Sequence, residues 1–274
     1  MARTCKVLSP LVVLALALGA CGSSSDEGTT TTGADGSASR SLVTCRASGE
    51  ITVAAAASLT EAFTTIGDQM EAACEDAAIT FTFDSSGKLS EQILSGAPVD
   101  VFASADEGNA EKVADEAVGA PEPFARNQLV IVTKPGNPEG IASLADLADL
   151  ADAGVVALCA EDAPCGRFAG QALEAASVDI DEGRVTRGQN AKATLTAVTE
   201  GDAVAGIVYV TDARAAGDGV EAVAIPEDQN VIATYPVVAI DGPGDDDLAD
   251  AFVAYLQTDA AQQVLADAGF LAPT

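Results

Sequence analysis

The chain has 274 residues, 48% of them apolar and 20% charged, enough to bury one large domain or two modest lobes and to exclude general disorder. Its 42 acidic and 13 basic side chains leave a net charge of −29, which excludes nucleic acid as a partner, because phosphate backbones are bound through clustered Lys and Arg. There is no histidine, so the commonest zinc ligand and the commonest general base are both missing.

Arg3 and Lys6 precede an apolar run, Leu11 to Leu18, closed by Leu18-Gly19-Ala20-Cys21. Residues 1–20 therefore read as a signal peptide and not as a fold element. The Leu-Gly-Ala-Cys tetrad resembles a bacterial lipoprotein box, which implies cleavage before Cys21 and lipid attachment to it. An ordinary secretory signal with an incidental cysteine is the competing reading. Cleavage there leaves 11 basic against 42 acidic residues, a net of −31, on a protein outside the cytoplasm. Residues 21–48 are rich in Gly, Ser, Thr and Asp and poor in apolar residues, the composition of a flexible tether. With Cys5 removed and Cys21 lipidated, Cys45, Cys74, Cys159 and Cys165 remain, and four cysteines allow three pairings in a disulfide-permissive compartment. Cys159 and Cys165, six apart, make the natural local bridge; by elimination Cys45 pairs with Cys74. A metal site is the alternative, disfavoured by the lack of any His or CxxC.

Ile51 to Ala57 reads as a buried strand whose small side chains allow close backbone approach. Leu59, Phe63, Ile66 and Met70 recur at helical spacing and predict a helix over about Thr60 to Cys74. Ile79 to Phe83 alternates as a strand, and Asp84-Ser85-Ser86-Gly87 turns into a helix through Leu89, Ile93 and Leu94. Val99 to Ala103 is the next strand, with Asp106 as N-cap of the helix after it. After Pro121 and Pro123 come a strand at Gln128 to Val132, a short helix at Leu144 to Ala151 and a strand at Val155 to Leu158. Helices follow at Gly166 to about Ala176 and Ala191 to Thr199, then a strand at Ala205 to Val210. The last strands are Val220 to Ile225 and Ala233 to Ile240, before helices over Asp247 to Gln257 and Asp259 to Ala268, with Gly269 as the C-cap.

This β-turn-α rhythm predicts an α/β fold of mainly parallel sheets flanked by helices, with ligands beyond the C-terminal strand ends. The rhythm restarts in the middle of the chain, which predicts two lobes: 49–127 with 237–274, and 128–236. Two crossings, near Arg126–Leu129 and Thr234–Pro236, make a hinge, and the cleft between the lobes becomes a site that can close.

The turns at Ala57-Ser58, Ser85-Ser86, Pro164-Cys165-Gly166 and Asn190-Ala191, with the strand end carrying Tyr209, are the candidate ligand contacts. Taken with Ile51 to Thr60, Ser85 to Ile93, Gly96 to Asp106 and Gly206 to Ala213, in that order, they resemble the periplasmic molybdate-binding proteins, solute receptors of ABC importers. The resemblance spans roughly Glu50 to Ala272. It implies a two-lobed, type II periplasmic-binding-protein fold and a monomer that hands its ligand to a membrane permease. The implied ligand is molybdate or tungstate, with no cofactor and no enzymatic activity. Ser58 and Ser86 would each give a hydroxyl and a backbone N–H, Cys165 and Ala191 a backbone N–H, and Tyr209 its phenol, so the metal enters only as its oxyanion. Where the family has Pro-Ala-Gly, this chain has Pro164-Cys165-Gly166, so a disulfide there bears on the turn and on the cavity width.

Neutral donors suffice for such an anion: each helix N-terminus presents about half a positive charge, and hydrogen bonds to charged groups are worth about 1.5–3 kcal/mol each. The bland alternatives are N-caps at Ser58 and Ser86, a core aromatic at Tyr209 and a plain staple at Cys165. Lys88 has no Gly-x-x-x-x-Gly-Lys-Ser/Thr context, which argues against a nucleotide loop. Asp84, as an acceptor for a protonated oxyanion, would favour phosphate, and sulfate is a further alternative. A secreted serine hydrolase at Ser58 or Ser86 would lack a Gly-x-Ser-x-Gly elbow and have only Lys88 as a base.

Overall fold

A computed structural model describes residues 47–150 and 154–273; the signal peptide, Cys21, Cys45 and all but the end of the tether lie outside the described residues. The first strand, β1 (Gly49–Ala56), is buried along its alanine end and pairs in parallel with β2 (Ala77–Asp84) and β3 (Val101–Ala103). Between β1 and β2 lie a 3-10 turn at Ala57–Leu59 and helix α1 (Thr60–Ala73). Helix α1 buries Ala62, Phe63, Ile66 and Met70, the spacing that keeps one face of a 3.6-residue helix on the sheet. Phe63 sits at its centre, 5.6–6.1 Å from the rings of Phe81, Phe124 and Phe252. Helices α2 (Ser86–Leu94) and α3 (Glu107–Lys112) follow β2 and β3 and are capped by Ser85 and Asp106.

The next strand departs from expectation. Instead of starting near Gln128, β4 runs for 17 residues, Ala117–Thr133, straight through Pro121 and Pro123. Register shifts between Val118 and Glu122 and between Pro123 and Ala125 accommodate them, since a bulge leaves a residue outside the ladder and proline has no N–H to give it. After α4 (Leu144–Asp149) come β5 (Val155–Cys159), α5 (Pro164–Ala175), β6 (Val185–Gly188), α6 (Ala191–Thr199), β7 (Ala203–Tyr209) and α7 (Val210–Ala216). Strand β6 carries only Val185-Thr-Arg-Gly and gives no apolar run to read. The chain closes with β8 (Glu221–Ala224), β9 (Ile232–Ile240), α8 (Asp246–Tyr255) and α9 (Asp259–Ala268), ended by Gly269 at φ 103°.

The strand order is β2-β1-β3-β9-β4-β7-β5-β6, with β8 on β4. Pairing is parallel among β1, β2 and β3 and again among β5, β6 and β7; it is antiparallel wherever β4 or β9 takes part. The sheet is therefore mixed, with a parallel core at each end and two long strands between. The two segments expected to cross are neighbouring strands here: Arg126 pairs with Thr234 and Asn127 with Ala233. Leu271 adds a further bridge to Arg126, tying the C-terminal end to this pair.

Candidate functional site

Five strands end toward one point, and each hands the chain to a helical turn. Strand β1 leads into the 57–59 turn, β2 into α2, and β7 into α7, while β5 and β6 reach α5 and α6 through short loops. Such ends are where ligands of α/β sheets gather. Pro164 opens α5 with no N–H of its own, and Asn190 caps α6 by accepting from the Ala193 N–H at 2.9 Å. The first-turn N–H groups of α2, α5 and α6 have no acceptor within their own helices, so three positive helix ends converge.

The five residues named from the sequence, Ser58, Ser86, Cys165, Ala191 and Tyr209, line one cavity. All are buried, none more than 5% exposed, although they are spread over 152 positions of the chain. Asp84, Ser85, Ala105 and Asn190 also line it, with Ala56, Ala57 and Pro164. The centre of a water-sized sphere can move over only about 10 Å³ there, so the cavity suits a small compact ligand.

Neither Ser58 nor Ser86 is an N-cap. Ser85 holds that role for α2, while the Ser86 Oγ accepts from the Ala105 N–H at 2.9 Å. An oxygen engaged in this way keeps its own proton free to donate. Ser58 Oγ lies 2.8 Å from the Tyr235 hydroxyl, which accepts a longer bond from Asn127 Nδ2 at 3.4 Å. With Tyr235 donating to Ser58, the Ser58 proton is also left for the cavity. Tyr235 and Asn127, on β9 and β4, were not foreseen as part of this network. Neither stands out in the sequence, since Asn127 lies between Arg126 and Gln128 and Tyr235 follows Thr234.

Tyr209 carries the most telling feature. Its hydroxyl is buried beside Tyr235 and has no hydrogen-bond partner of ordinary length among the described residues, a costly state unless a ligand supplies the acceptor. Burial raises its pKa well above the usual phenol value, with Tyr235 and Asp212 adding to the effect, so it stays a neutral donor. Asp212, three residues on, accepts from the Tyr209 backbone N–H at 3.2 Å and leaves its other oxygen unpartnered among the described residues. Burial pushes its pKa up to about 7, opposed chiefly by the charge of Lys192.

Asp84 is not a free acceptor for a protonated ligand. Its Oδ1 accepts from the Ser85 N–H and Asn190 Nδ2, and its Oδ2 faces Lys88 Nζ at 3.5 Å. Lys88 in turn donates to Gln189 Oε1. Cys159 and Cys165 form the expected disulfide across the start of α5. Cys74 is disulfide-bonded, and Cys45 lies outside the described residues. No cluster of three or more His, Cys, Asp or Glu side chains suited to a cation occurs among the described residues. A cavity walled by hydroxyls and helix N-termini offers donors, which is the chemistry of anion capture.

Residues 51–271 match the family of bacterial extracellular solute-binding proteins. The molybdate-binding protein ModA of Mycobacterium tuberculosis is 35% identical over 225 residues, covering 81% of this chain and 85% of that protein. Among solved structures, the periplasmic molybdate-binding protein of Azotobacter vinelandii has a TM-score of 0.74 at 20% identity, covering 82% of this chain and 100% of that one. The sulfate-binding protein SubI of Mycobacterium tuberculosis has a TM-score of 0.70 at 19% identity, covering 81% of this chain and 86% of that one. At these identities the two structures speak for the fold alone.

Proposed function

We propose, from the premise that this chain belongs to the bacterial extracellular solute-binding protein family, that it is the molybdate receptor of an ABC importer. Tungstate, of the same shape and charge, is its second ligand. The anion is held by the hydroxyls of Ser58, Ser86 and Tyr209 and by the backbone N–H groups of Ser58, Ser86, Cys165 and Ala191. The observation that carries this reading is the buried Tyr209 hydroxyl, unpartnered among the described residues, on a cavity lined by Ser58, Ser86 and three helix starts. The named relative at 35% identity directs the choice among oxyanions to molybdate.

The protein is extracytoplasmic, anchored by lipid at Cys21, and delivers its ligand to a membrane permease. Because one chain supplies every donor, a monomer suffices. Residues 49–127 with 237–274 form one lobe and 128–236 the other. This division is supported by the pairing of β3 with Val237–Ala239 and of β7 with Leu129–Thr133. It acts by binding and release rather than by catalysis: Lys88, the one base open to a serine hydrolase, is engaged by Gln189 and Asp84.

Titration calorimetry of the purified protein with molybdate, tungstate, sulfate and phosphate tests the assignment. Molybdate and tungstate are expected to bind with dissociation constants of about micromolar or below, and sulfate and phosphate far more weakly. Tight phosphate or sulfate binding without any response to molybdate would overturn it.

A further inference from the structure

Besides the contacts of Ser58 and Asn127 with Tyr235 and of Asn127 with Thr211, four polar contacts around the cavity run between residues 49–127 and residues 128–236. Lys192 pairs with Glu61, and Arg167 with Asp106. Asn190 Nδ2 donates to Asp84 Oδ1 at 3.0 Å, and Lys88 Nζ to Gln189 Oε1 at 3.0 Å. Their positions are not scattered. Lys192 follows Ala191, Arg167 is two residues beyond Cys165, Glu61 three beyond Ser58, and Asp106 follows Ala105, the partner of Ser86. The turns that would hold the anion are thus the turns that carry the cross-contacts.

The two ion pairs also share a polarity. Both cations come from residues 128–236 and both carboxylates from the other side, in a chain with only 13 basic residues. Neither Arg167 nor Lys192 lines the cavity. Asp106 is 5% exposed and spends its oxygens on the Asn109 N–H and Nδ2 as well as on Arg167. Separating Arg167 from it leaves a buried carboxylate without its cation, which is unfavourable. The Glu61–Lys192 pair is more open, its side chains 50% and 30% exposed, and is correspondingly weaker.

We infer that Asp106–Arg167 and Glu61–Lys192 are latches across the cleft that set how long the anion stays bound. Neutral cavity donors select the ligand; the peripheral ion pairs retain it. Arg167 and Lys192 are therefore positioning residues, acting on the cavity through the turns that precede them. This inference rests on the proposed anion-receptor function.

Stopped-flow binding of molybdate, followed by intrinsic tyrosine fluorescence, separates association from release. Arg167→Gln is expected to raise the release rate by about tenfold, and Lys192→Glu, which sets like charges opposite Glu61, by about three- to fivefold. The preference for molybdate over sulfate should stay unchanged. The exchanged pair Glu61→Lys with Lys192→Glu should restore the original release rate, and rising salt should speed release in the wild type more than in Arg167→Gln. Unchanged release rates in folded Arg167→Gln and Lys192→Glu would overturn the latches, as would failure of the exchanged pair to rescue. If Arg167→Gln does not fold, the Lys192→Glu and exchanged variants decide alone. Absence of any oxyanion binding by the wild type would instead sink the receptor function itself.

Discussion

Ser86 does two jobs with one hydroxyl. Its oxygen satisfies the Ala105 N–H, and in the proposed site its proton is left for the anion. Ser86→Ala should weaken molybdate by about 1.5–3 kcal/mol, roughly ten- to a hundredfold, as measured by calorimetry. An affinity equal to wild type would reduce Ser86 to a support for the Ala105 loop. Asp212 makes a separate prediction about pH. Burial raises its pKa to about 7, whereas in the unfolded chain it titrates near 4. Between those values the folded state binds more protons than the unfolded one, so this group's contribution to stability falls as pH rises from about 4 to 7 and then levels off. Asp212→Asn removes that dependence and still offers an oxygen to the Tyr209 N–H. Its melting temperature should exceed that of the wild type at pH 8, and the gap should close toward pH 4. Parallel melting curves across this range would refute the assignment.

The disulfide belongs to the β5-to-α5 connection. It ties the end of a buried strand to the helix start that carries the Cys165 N–H, and Thr194 Oγ1 of α6 donates to Cys159 Sγ at 3.2 Å. Two of the helix ends on the cavity therefore share one staple. Replacing both cysteines by serine should cost about 2 kcal/mol of stability, the entropy of so short a closed loop. The same variant should bind molybdate more weakly, because the turn bearing Cys165 is then free to spread. Denaturant unfolding and calorimetry on one sample check both; a stability loss with unchanged affinity would confine the bridge to a structural role. Among the elements, amphipathic helices were the most legible. The period of Phe63, Ile66 and Met70 announced α1, and Asp106 and Gly269 marked a start and a stop. Strand β4 was the least legible at its N-terminal half, where prolines break the local pattern but the bulged pairing with β9 tolerates them.

Across the entire protein, a chain of net charge −29 is assigned an anion as ligand. The conflict is weaker than it looks, because charges beyond about 8–10 Å are screened at physiological salt, while the helix ends act at contact distance. Function also separates along the chain. The cavity is built between Ala56 and Tyr209, whereas the proposed anchor, Cys21, precedes the first described residue. Cys21→Ser should therefore move the protein from the membrane fraction to the medium with molybdate affinity unchanged. Membrane retention of that variant, read by fractionation and immunoblotting, would remove the lipid anchor from the account.

Composition, periodicity and the ordered turns were enough to determine the α/β class, the two repeats of βα units and the candidate turns, within which the family resemblance singled out the five contact residues. These depend on local physics: helical and strand periods, capping and turn chemistry are written over a few neighbouring positions. The resemblance to a known family supplied the ligand. Tertiary structure alone decided that those residues share one cavity, that Tyr235 and Asn127 stand behind Ser58, and that Asp84 is already engaged. It also shows that Ser85 caps α2 and that the Ser86 Oγ accepts from the Ala105 N–H. Such contacts join residues up to 177 positions apart, as Ser58 meets Tyr235, and no local pattern encodes a partner at that separation.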